Sequence, residues 1–279
     1  MDLLRYIDDG FGLSKINFEN SIGFRVNDIF HRVKHAVQAQ NVFRHIVKAA
    51  ERIGMVVNSR KTAMLCVSDS LSYLADAFIL DADQNCIGCQ DSIKALGMHF
   101  SSRPTMDLQV ASIAKKFRSR FWTLRNLKNS GFSTEELVTV YKTMIRPMAD
   151  YACTVYHSSL TDEQDETLDG LQNHALKCIF GPLSGRKLRD LAGVTTLRKR
   201  REEICDKFAK KLVSNPLFTH WFPLKKTRAS ARNTGKQEVY LEEKARCSRL
   251  QNSPLFYFRR RLNGKEGKTY GKRYEEYRK

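Results

Sequence analysis

Two adjacent aspartates, Asp8 and Asp9, lie between the apolar residue Ile7 and the glycine Gly10 near the start of the sequence. Neighbouring carboxylates on a turn can bind divalent cations, because Mg²⁺ and Mn²⁺ prefer hard oxygen ligands. Two such ions about 3.5–4 Å apart support in-line phosphoryl transfer. Asp-Asp-Gly is also a common solvated turn, so the pair alone leaves both interpretations open.

Three further segments follow this acidic pair in a fixed order. Counting the segment that contains the acidic pair, the four segments are Tyr6-Ile7-Asp8-Asp9; Gly54-Met55-Val56-Val57-Asn58-Ser59-Arg60-Lys61-Thr62; Leu96-Gly97; and Tyr141-Lys142-Thr143-Met144-Ile145-Arg146-Pro147, continued by Asp150-Tyr151 and by Leu171-Gln172-Asn173-His174-Ala175-Leu176-Lys177. In these segments the chain resembles the reverse transcriptase of non-LTR retrotransposons, in particular that of jockey-like elements. The resemblance covers about residues 3–180 and corresponds to the region from the catalytic box to the end of the thumb.

The resemblance implies roles for several residues. Asp8 and Asp9 would be catalytic and would bind the Mg²⁺ or Mn²⁺ ions of an RNA-directed DNA polymerase. Lys61 would act near the departing pyrophosphate, as a charge stabiliser or a proton donor, although an exposed lysine at a strand edge is the alternative. Tyr6 and Gly97 would contact nucleic acid, and Gly97 would lie at the primer grip, where a missing side chain allows a backbone to approach closely.

The resemblance also implies the partners of the intact enzyme. They are an RNA template, a DNA primer and deoxynucleoside triphosphates, and the expected location is the nucleus. In this family another metal-binding Asp and the fingers lie upstream of the Tyr-x-Asp-Asp box, and the sequence does not include them before Met1. We therefore expect the chain alone to be inactive and its metal ions to need that upstream segment. The alternative is a non-catalytic RNA- or DNA-binding remnant that acts through a basic thumb and tail.

Positive charge is concentrated at the C-terminal end. Residues 181–279 contain 27 lysines and arginines and 10 acidic residues, whereas residues 1–180 contain 21 and 20, within a total net charge of +18. Such an excess favours a polyanion as partner, because neutralised phosphates release counterions; a solvated tail without a ligand is the alternative. The mixture Phe256-Tyr257-Phe258-Arg259-Arg260-Arg261 can stack on bases and pair with phosphates, or its aromatic residues can dock the tail onto the bundle.

Apolar periodicity predicts an α+β fold with three parts. These are a partial polymerase palm of antiparallel strands plus a helix (residues 1–103), an α-helical thumb bundle (104–182) and a basic helical extension (183–279). In the palm we predict a hairpin over residues 3–16, a helix over about 32–53 that ends at Gly54, strands at 55–57 and 63–67, a hairpin over 75–88, and a last strand over 93–100 that carries Leu96 and Gly97.

The first predicted thumb helix is capped by Thr105 or Asp107 and ends near Leu127. Much of its polar surface is cationic, with Lys115, Lys116, Arg118, Arg120, Arg125 and Lys128. In a polymerase thumb such a helix lies along the minor groove of the template–primer, where cations contact phosphates; a surface helix kept soluble by charge is the alternative. Ser133-Thr134-Glu135-Glu136 predicts a capping box at the next helix, and a further helix is predicted from Asp162 to Phe180.

The remaining features carry no catalytic prediction. The seven dispersed cysteines are typical of reduced thiols, and Cys86-x-x-Cys89 supplies only half of a zinc site. His174 is predicted to be a structural histidine in the middle of a helix. No stretch of about 18 apolar residues indicates a membrane span, and the first residues lack the apolar core of a signal peptide.

Overall fold

The computed structural model describes residues 36–66, 78–102, 105–225, 239–242 and 251–265. Packing divides the chain into two compact units, Met1–Pro104 and Thr105–Lys279. The division lies one residue from the predicted end of the palm segment, but it groups the predicted thumb and the predicted extension into one unit. The predicted acidic hairpin, with Tyr6, Asp8 and Asp9, lies outside the described residues.

The described part of the first unit combines one helix with short strands, so the mixed α+β class is confirmed. Its described elements are α1 (Ala36–Arg52), β1 (Met64–Leu65), β2 (Phe78–Leu80), β3 (Cys86–Gln90), β4 (Ser92–Ala95) and β5 (Met98–Ser101). Strand β3 is central, parallel to β1 and antiparallel to β2, while β4 and β5 form a separate antiparallel pair. The hairpin predicted over residues 75–88 is confirmed in its described part, where β2 pairs with β3 in antiparallel orientation.

A small core holds α1 against this sheet. Ala39 and Phe43 of α1 pack with Ile79 of β2, and all three are buried. The side chain of Gln40 donates a hydrogen bond to the carbonyl oxygen of Leu80 (3.0 Å) and accepts one from the Leu80 N–H (2.6 Å). Because these bonds satisfy both backbone groups of a strand residue, they align the helix with the edge of the sheet.

Helix α1 ends as predicted, at Gly54, whose φ of +70° places it in the left-handed region. The Gly54 N–H donates to Glu51 O (3.0 Å) and the Met55 N–H donates to Ala50 O (2.9 Å), which is the Schellman pattern. The predicted strand at residues 55–57 is wrong. Met55 uses its N–H in the helix cap, and Val56 is 93% exposed, so this segment joins no strand ladder.

The predicted strand over residues 93–100 is also wrong, because it folds back on itself as the hairpin of β4 and β5. Its two-residue turn is Leu96-Gly97, with φ values of +48° and +76°. A tight hairpin of this kind requires positive φ at both central residues. Glycine adopts that conformation freely, whereas a leucine there is strained by about 1–2 kcal/mol.

The expectation that all cysteines are reduced is wrong for Cys66 and Cys89, which form a disulfide. Strands β1 and β3 are neighbours, and their pairing brings the two Cα atoms to 6.1 Å, within the range that a disulfide spans. Cys86 is a free, exposed cysteine on the same strand as Cys89. The pairing therefore follows from strand register, which the spacing of the cysteines does not reveal.

The second unit is helical. Its described helices are α2 (Asp107–Asn129), α3 (Thr134–Val140), α4 (Pro147–Asp150), α5 (Cys153–Tyr156), α6 (Asp162–Phe180), α7 (Gly185–Ala192), α8 (Leu197–Val213) and α9 (Pro254–Leu262). A π-helical turn, Tyr141–Ile145, joins α3 to α4, and 3₁₀ turns occur at His157–Ser159 and Pro216–Trp221. The bounds of α6 agree with the predicted ones.

Two capping boxes start helices of this unit. At α3, the Ser133 N–H donates to the Glu136 carboxylate (2.8 Å) and the Ser133 hydroxyl oxygen accepts from the Glu136 N–H, which confirms the prediction. The bond from the Ser133 N–H is the main reason that the pKa of Glu136 lies below its usual value. Thr161 and Gln164 form the second box, at the start of α6. In each box the two residues therefore satisfy each other's backbone N–H groups, which have no partner within the helix.

A buried ion pair joins α6 to α8. Arg201 Nη2 lies 2.5 Å from Asp165 Oδ1, and the two side chains are 0% and 2% exposed. Next to it, Asp169 accepts hydrogen bonds from the N–H groups of Leu197 (2.8 Å) and Arg198 (3.3 Å) at the start of α8. Burial raises the pKa of Asp169, and these hydrogen bonds oppose that shift. The start of α8 is thus held against α6 by a buried ion pair and by hydrogen bonds to the Asp169 carboxylate.

Replacing Asp165 with asparagine is expected to destabilise the second unit by about 3–5 kcal/mol, because Arg201 would stay buried without an anionic partner. Chemical denaturation followed by circular dichroism measures the loss. Asp162→Asn is the matched control: it lies one turn earlier, its ion pair with Arg198 is exposed, and its loss costs at most about 1 kcal/mol. Equal effects of the two substitutions would contradict a dominant role for the buried pair.

Leu96→Asn is expected to stabilise the first unit by about 1 kcal/mol, because asparagine tolerates the left-handed conformation that Asn-Gly turns use. Leu96→Ala is the control, since alanine removes the leucine side chain but keeps the strain. Thermal unfolding of the first unit distinguishes the two variants. An asparagine variant no more stable than the alanine variant would contradict strain at this turn.

Candidate nucleic-acid interface

Helix α2 packs its apolar stripe mainly against α6, also contacts α3 and α4, and exposes much of its remaining surface. The buried members of this stripe include Val110, Ala114, Phe117, Phe121 and Leu124, which recur at helical spacing. The predicted cap is wrong: Met106 is the N-cap residue, and its side chain makes no capping bond. Asp107 instead accepts a hydrogen bond from the Gln164 side chain of α6 (2.6 Å), so its carboxylate serves tertiary packing.

The exposed surface of α2 is strongly cationic. The five residues predicted to contact nucleic acid are all exposed, and they are Lys115, Lys116, Arg118, Arg120 and Arg125. The only acidic residue of the helix is Asp107, in its first turn. At 3.6 residues per turn, Lys115, Arg118 and Arg125 lie on one flank of the apolar stripe, and the other two cations lie on the opposite flank. We call the first group the cationic flank.

Lys128 belongs to the same helix but has a structural contact. Its Nζ donates hydrogen bonds to the carbonyl oxygens of Cys178 (3.2 Å) and Ile179 (2.8 Å) at the end of α6. A cation at this position satisfies terminal carbonyl groups and complements the helix dipole. Lys128 is therefore a residue of the bundle rather than of the proposed interface.

Trp122 is a residue of this surface that sequence reasoning missed. Its side chain is 69% exposed, and it lies four residues after Arg118 and three before Arg125. This spacing puts it on the cationic flank, out of phase with the apolar stripe. A helical projection of residues 107–129 contains the signal, because a tryptophan outside the apolar face of an amphipathic helix cannot fill the core.

The tail arginines Arg259, Arg260 and Arg261 contact other parts of the chain. Arg259, 6% exposed, donates from Nε (2.9 Å) and Nη2 (2.6 Å) to the carbonyl oxygen of Trp221. Arg260 is also buried, donates to the carbonyl oxygen of Gln251 (2.6 Å), and has its pKa lowered by burial. Arg261 donates through two nitrogens to the Asp206 carboxylate, and this hydrogen bonding raises its pKa.

The aromatic residues beside these arginines are core residues. Tyr257 and Phe258 are buried in a cluster with Cys205, Ala209, Leu212 and Phe222. The ring of Tyr257 also makes an edge-on contact with that of the buried His157, at 5.4 Å between centroids. Of the two interpretations of this segment, the docking of the tail onto the bundle is confirmed. Stacking on bases would require Tyr257 and Phe258 to leave that core.

Lys61 and Gly97 are described, but their predicted partners are not. Lys61 is exposed and ends the 3₁₀ turn Ser59–Lys61, where its N–H donates to the Asn58 side chain (3.2 Å). It is thus part of this turn. Gly97 is at a hairpin turn rather than inside a strand. Their roles near the leaving group and the primer remain predictions, because Asp8 and Asp9 lie outside the described residues.

Two further observations concern ligands and membranes. Within the described ranges, no group of three or more histidine, cysteine, aspartate or glutamate side chains could hold a metal ion. Cys89 is bonded to Cys66, so it is not available as a metal ligand alongside Cys86. No described helix has the length and hydrophobicity of a segment that spans a bilayer.

His174, predicted to be structural, is exposed, and its ring centroid lies 4.5 Å from that of Phe121.

Comparison with known proteins identifies no relative. No protein-family model matches the chain, and no curated protein or solved structure is significantly similar to it. The functional assignment therefore depends on the sequence motifs and on the surface of the helical unit.

Arg259→Gln is expected to lower the stability of the second unit by about 1.5–3 kcal/mol, because it removes a buried charged donor from the carbonyl oxygen of Trp221. The affinity for nucleic acid should change little. Denaturation and a binding titration together test both statements. The control is Lys265→Gln, which removes the same charge from an exposed residue near the end of the described tail. A large loss of affinity at unchanged stability would instead favour direct contact between Arg259 and a phosphate.

Proposed function

We propose that this chain is the C-terminal palm and thumb part of a non-LTR retrotransposon reverse transcriptase, and that its helical unit binds an RNA–DNA template–primer through α2. The observation that carries the proposal is the exposed charge of this helix: five lysines and arginines occur between Lys115 and Arg125 without an acidic residue. Lysine and arginine side chains on such a surface can neutralise the negative charge of phosphate groups. The proposed family assignment is based on the four ordered sequence motifs.

The dimensions of α2 suit a phosphate backbone. The helix rises by about 1.5 Å per residue, so Lys115 and Arg125 are roughly 15 Å apart along its axis. A duplex strand advances about 3.4 Å per nucleotide, and the surface therefore spans about four phosphates. Contacts of this kind position a nucleic-acid strand without reading its sequence. This agrees with an enzyme that must move along any template.

The chemistry proposed for the intact enzyme follows the resemblance. Together with the upstream aspartate of the family, Asp8 and Asp9 would hold two Mg²⁺ or Mn²⁺ ions, and these would supply Lewis-acid stabilisation for phosphoryl transfer. Lys61 would contribute positive charge near the pyrophosphate, and Gly97 would lie beside the primer end. The exposure of Lys61 and the strain at Leu96 are consistent with these roles, since strained backbone is common at functional sites.

A second candidate function is that of a nucleic-acid-binding remnant without catalysis. It uses the same surface of α2 and needs neither Asp8 nor Asp9. Primer extension, with an upstream palm segment supplied in the same chain, separates the two functions. Extension that is abolished by Asp8→Asn supports the polymerase, whereas binding without any extension supports the remnant.

Substitution tests the proposed surface better than truncation after Phe180, because truncation would remove α8 and uncover the face of α6 that packs against it. We expect the triple variant Lys115→Gln, Arg118→Gln and Arg125→Gln to weaken binding to an RNA–DNA template–primer. The slope of log affinity against log salt should fall by about 0.7–0.9 for each phosphate that is no longer neutralised. A titration over a salt series measures both quantities.

The matched control is the triple variant Lys207→Gln, Lys210→Gln and Lys211→Gln, which removes three exposed charges from α8. Its affinity and salt slope should stay close to those of the unaltered chain. Equal reductions in the two triple variants would show that only net charge matters. Failure of the unaltered chain to bind at low salt would overturn the proposed function.

A further inference from the structure

Trp122 gives the cationic flank of α2 a large exposed aromatic face. We propose that its indole stacks on an unpaired base, so that Lys115, Arg118, Trp122 and Arg125 together bind a single-stranded segment of nucleic acid. This inference depends on the proposed function and deepens it by naming the form of nucleic acid that this flank recognises.

Exposure is the first observation. The buried stripe of α2 already includes Phe117, Phe121 and Leu124, and Trp122 lies well away from it around the helix. With 69% of its side chain in water, the indole contributes little to packing within the chain. It leaves a large flat apolar face available to a partner.

Charge around the indole is the second observation. Residues three or four positions apart on a helix have Cβ atoms about 5–6 Å apart, so Arg118 and Arg125 flank Trp122 on successive turns. Lys115 lies one turn further towards the start of the helix. A base stacked on Trp122 would have its neighbouring phosphates within reach of these long side chains. Aromatic faces combined with such cations are the usual platform for single strands.

Geometry selects the single strand. In a duplex each base face is covered by its neighbours, and only base edges, sugars and phosphates are presented outward. An indole face can stack only where a base is unpaired, as in a single-stranded template or at a frayed end. The opposite flank of α2, with Lys116 and Arg120, carries no exposed aromatic residue. Stacking is therefore specific to the flank that contains Trp122.

The test uses the full chain carrying Trp221→Phe, which leaves Trp122 as the only tryptophan. Its fluorescence is followed during titration with a 12-nucleotide oligo(dT) and with a blunt duplex of equal strand length. We expect strong quenching by the single strand and little by the duplex. Trp122→Ala should weaken single-strand affinity by about fivefold or more, the effect of removing one stacked base, while Trp122→Phe should retain much of it.

Phe132→Ala is the matched control, because it removes an exposed aromatic side chain that lies outside α2. Circular dichroism verifies that each variant is folded. Salt-sensitive binding that is unaffected by Trp122→Ala and shows no quenching would overturn the stacking proposal while leaving the proposed function intact. Equal weakening for the duplex and the single strand would overturn the choice of single strand. No salt-sensitive binding of either probe would overturn both proposals.

Discussion

The buried pair of Arg201 and Asp165 is the constraint on which the helical unit depends. Two ionised side chains removed from water are tolerated only when they meet each other with good geometry, so α6 and α8 have little freedom to shift. Asp169 extends this restraint by capping α8 at Leu197. The start of α8 is consequently held at both its side chains and its backbone, so this helix, which follows residue 182, belongs to the bundle.

The position of α8 also determines which contacts the described part of the basic tail makes. Asp206 on α8 pairs with Arg261, and Cys205, Ala209 and Leu212 form the floor on which Tyr257 and Phe258 pack. Once α9 is docked there, Arg259 lies against a backbone carbonyl instead of solvent. Positive charge in the described tail is thus partly used for folding. A count of cations along the sequence therefore overstates the charge that this region offers to a polyanion.

Local signals in the sequence predict the elements that depend on neighbouring residues. The capping box at Ser133, the end of α1 at Gly54 and the bounds of α6 each follow from side chains within a few positions. The features that the sequence does not reveal depend on distant contacts. The Cys66–Cys89 disulfide requires the register of β1 and β3, the turn at Leu96 requires β4 to pair with β5, and the ion pair of Arg261 requires Asp206 on α8. The surface of α2 is predictable because its stripe is periodic.

The contrast between the tail and α2 shows how charge becomes available for binding. A guanidinium that is already bonded to a carboxylate must break that bond before it can bind a phosphate. Arg261 would leave Asp206 unpaired, whereas Arg118 and Arg125 lie exposed on a helix whose buried stripe is already satisfied. Among the described residues, the exposed cations of α2 are therefore better placed for the proposed contact with a polyanion than the bonded arginines of α9, and the exposed indole of Trp122 lies beside them.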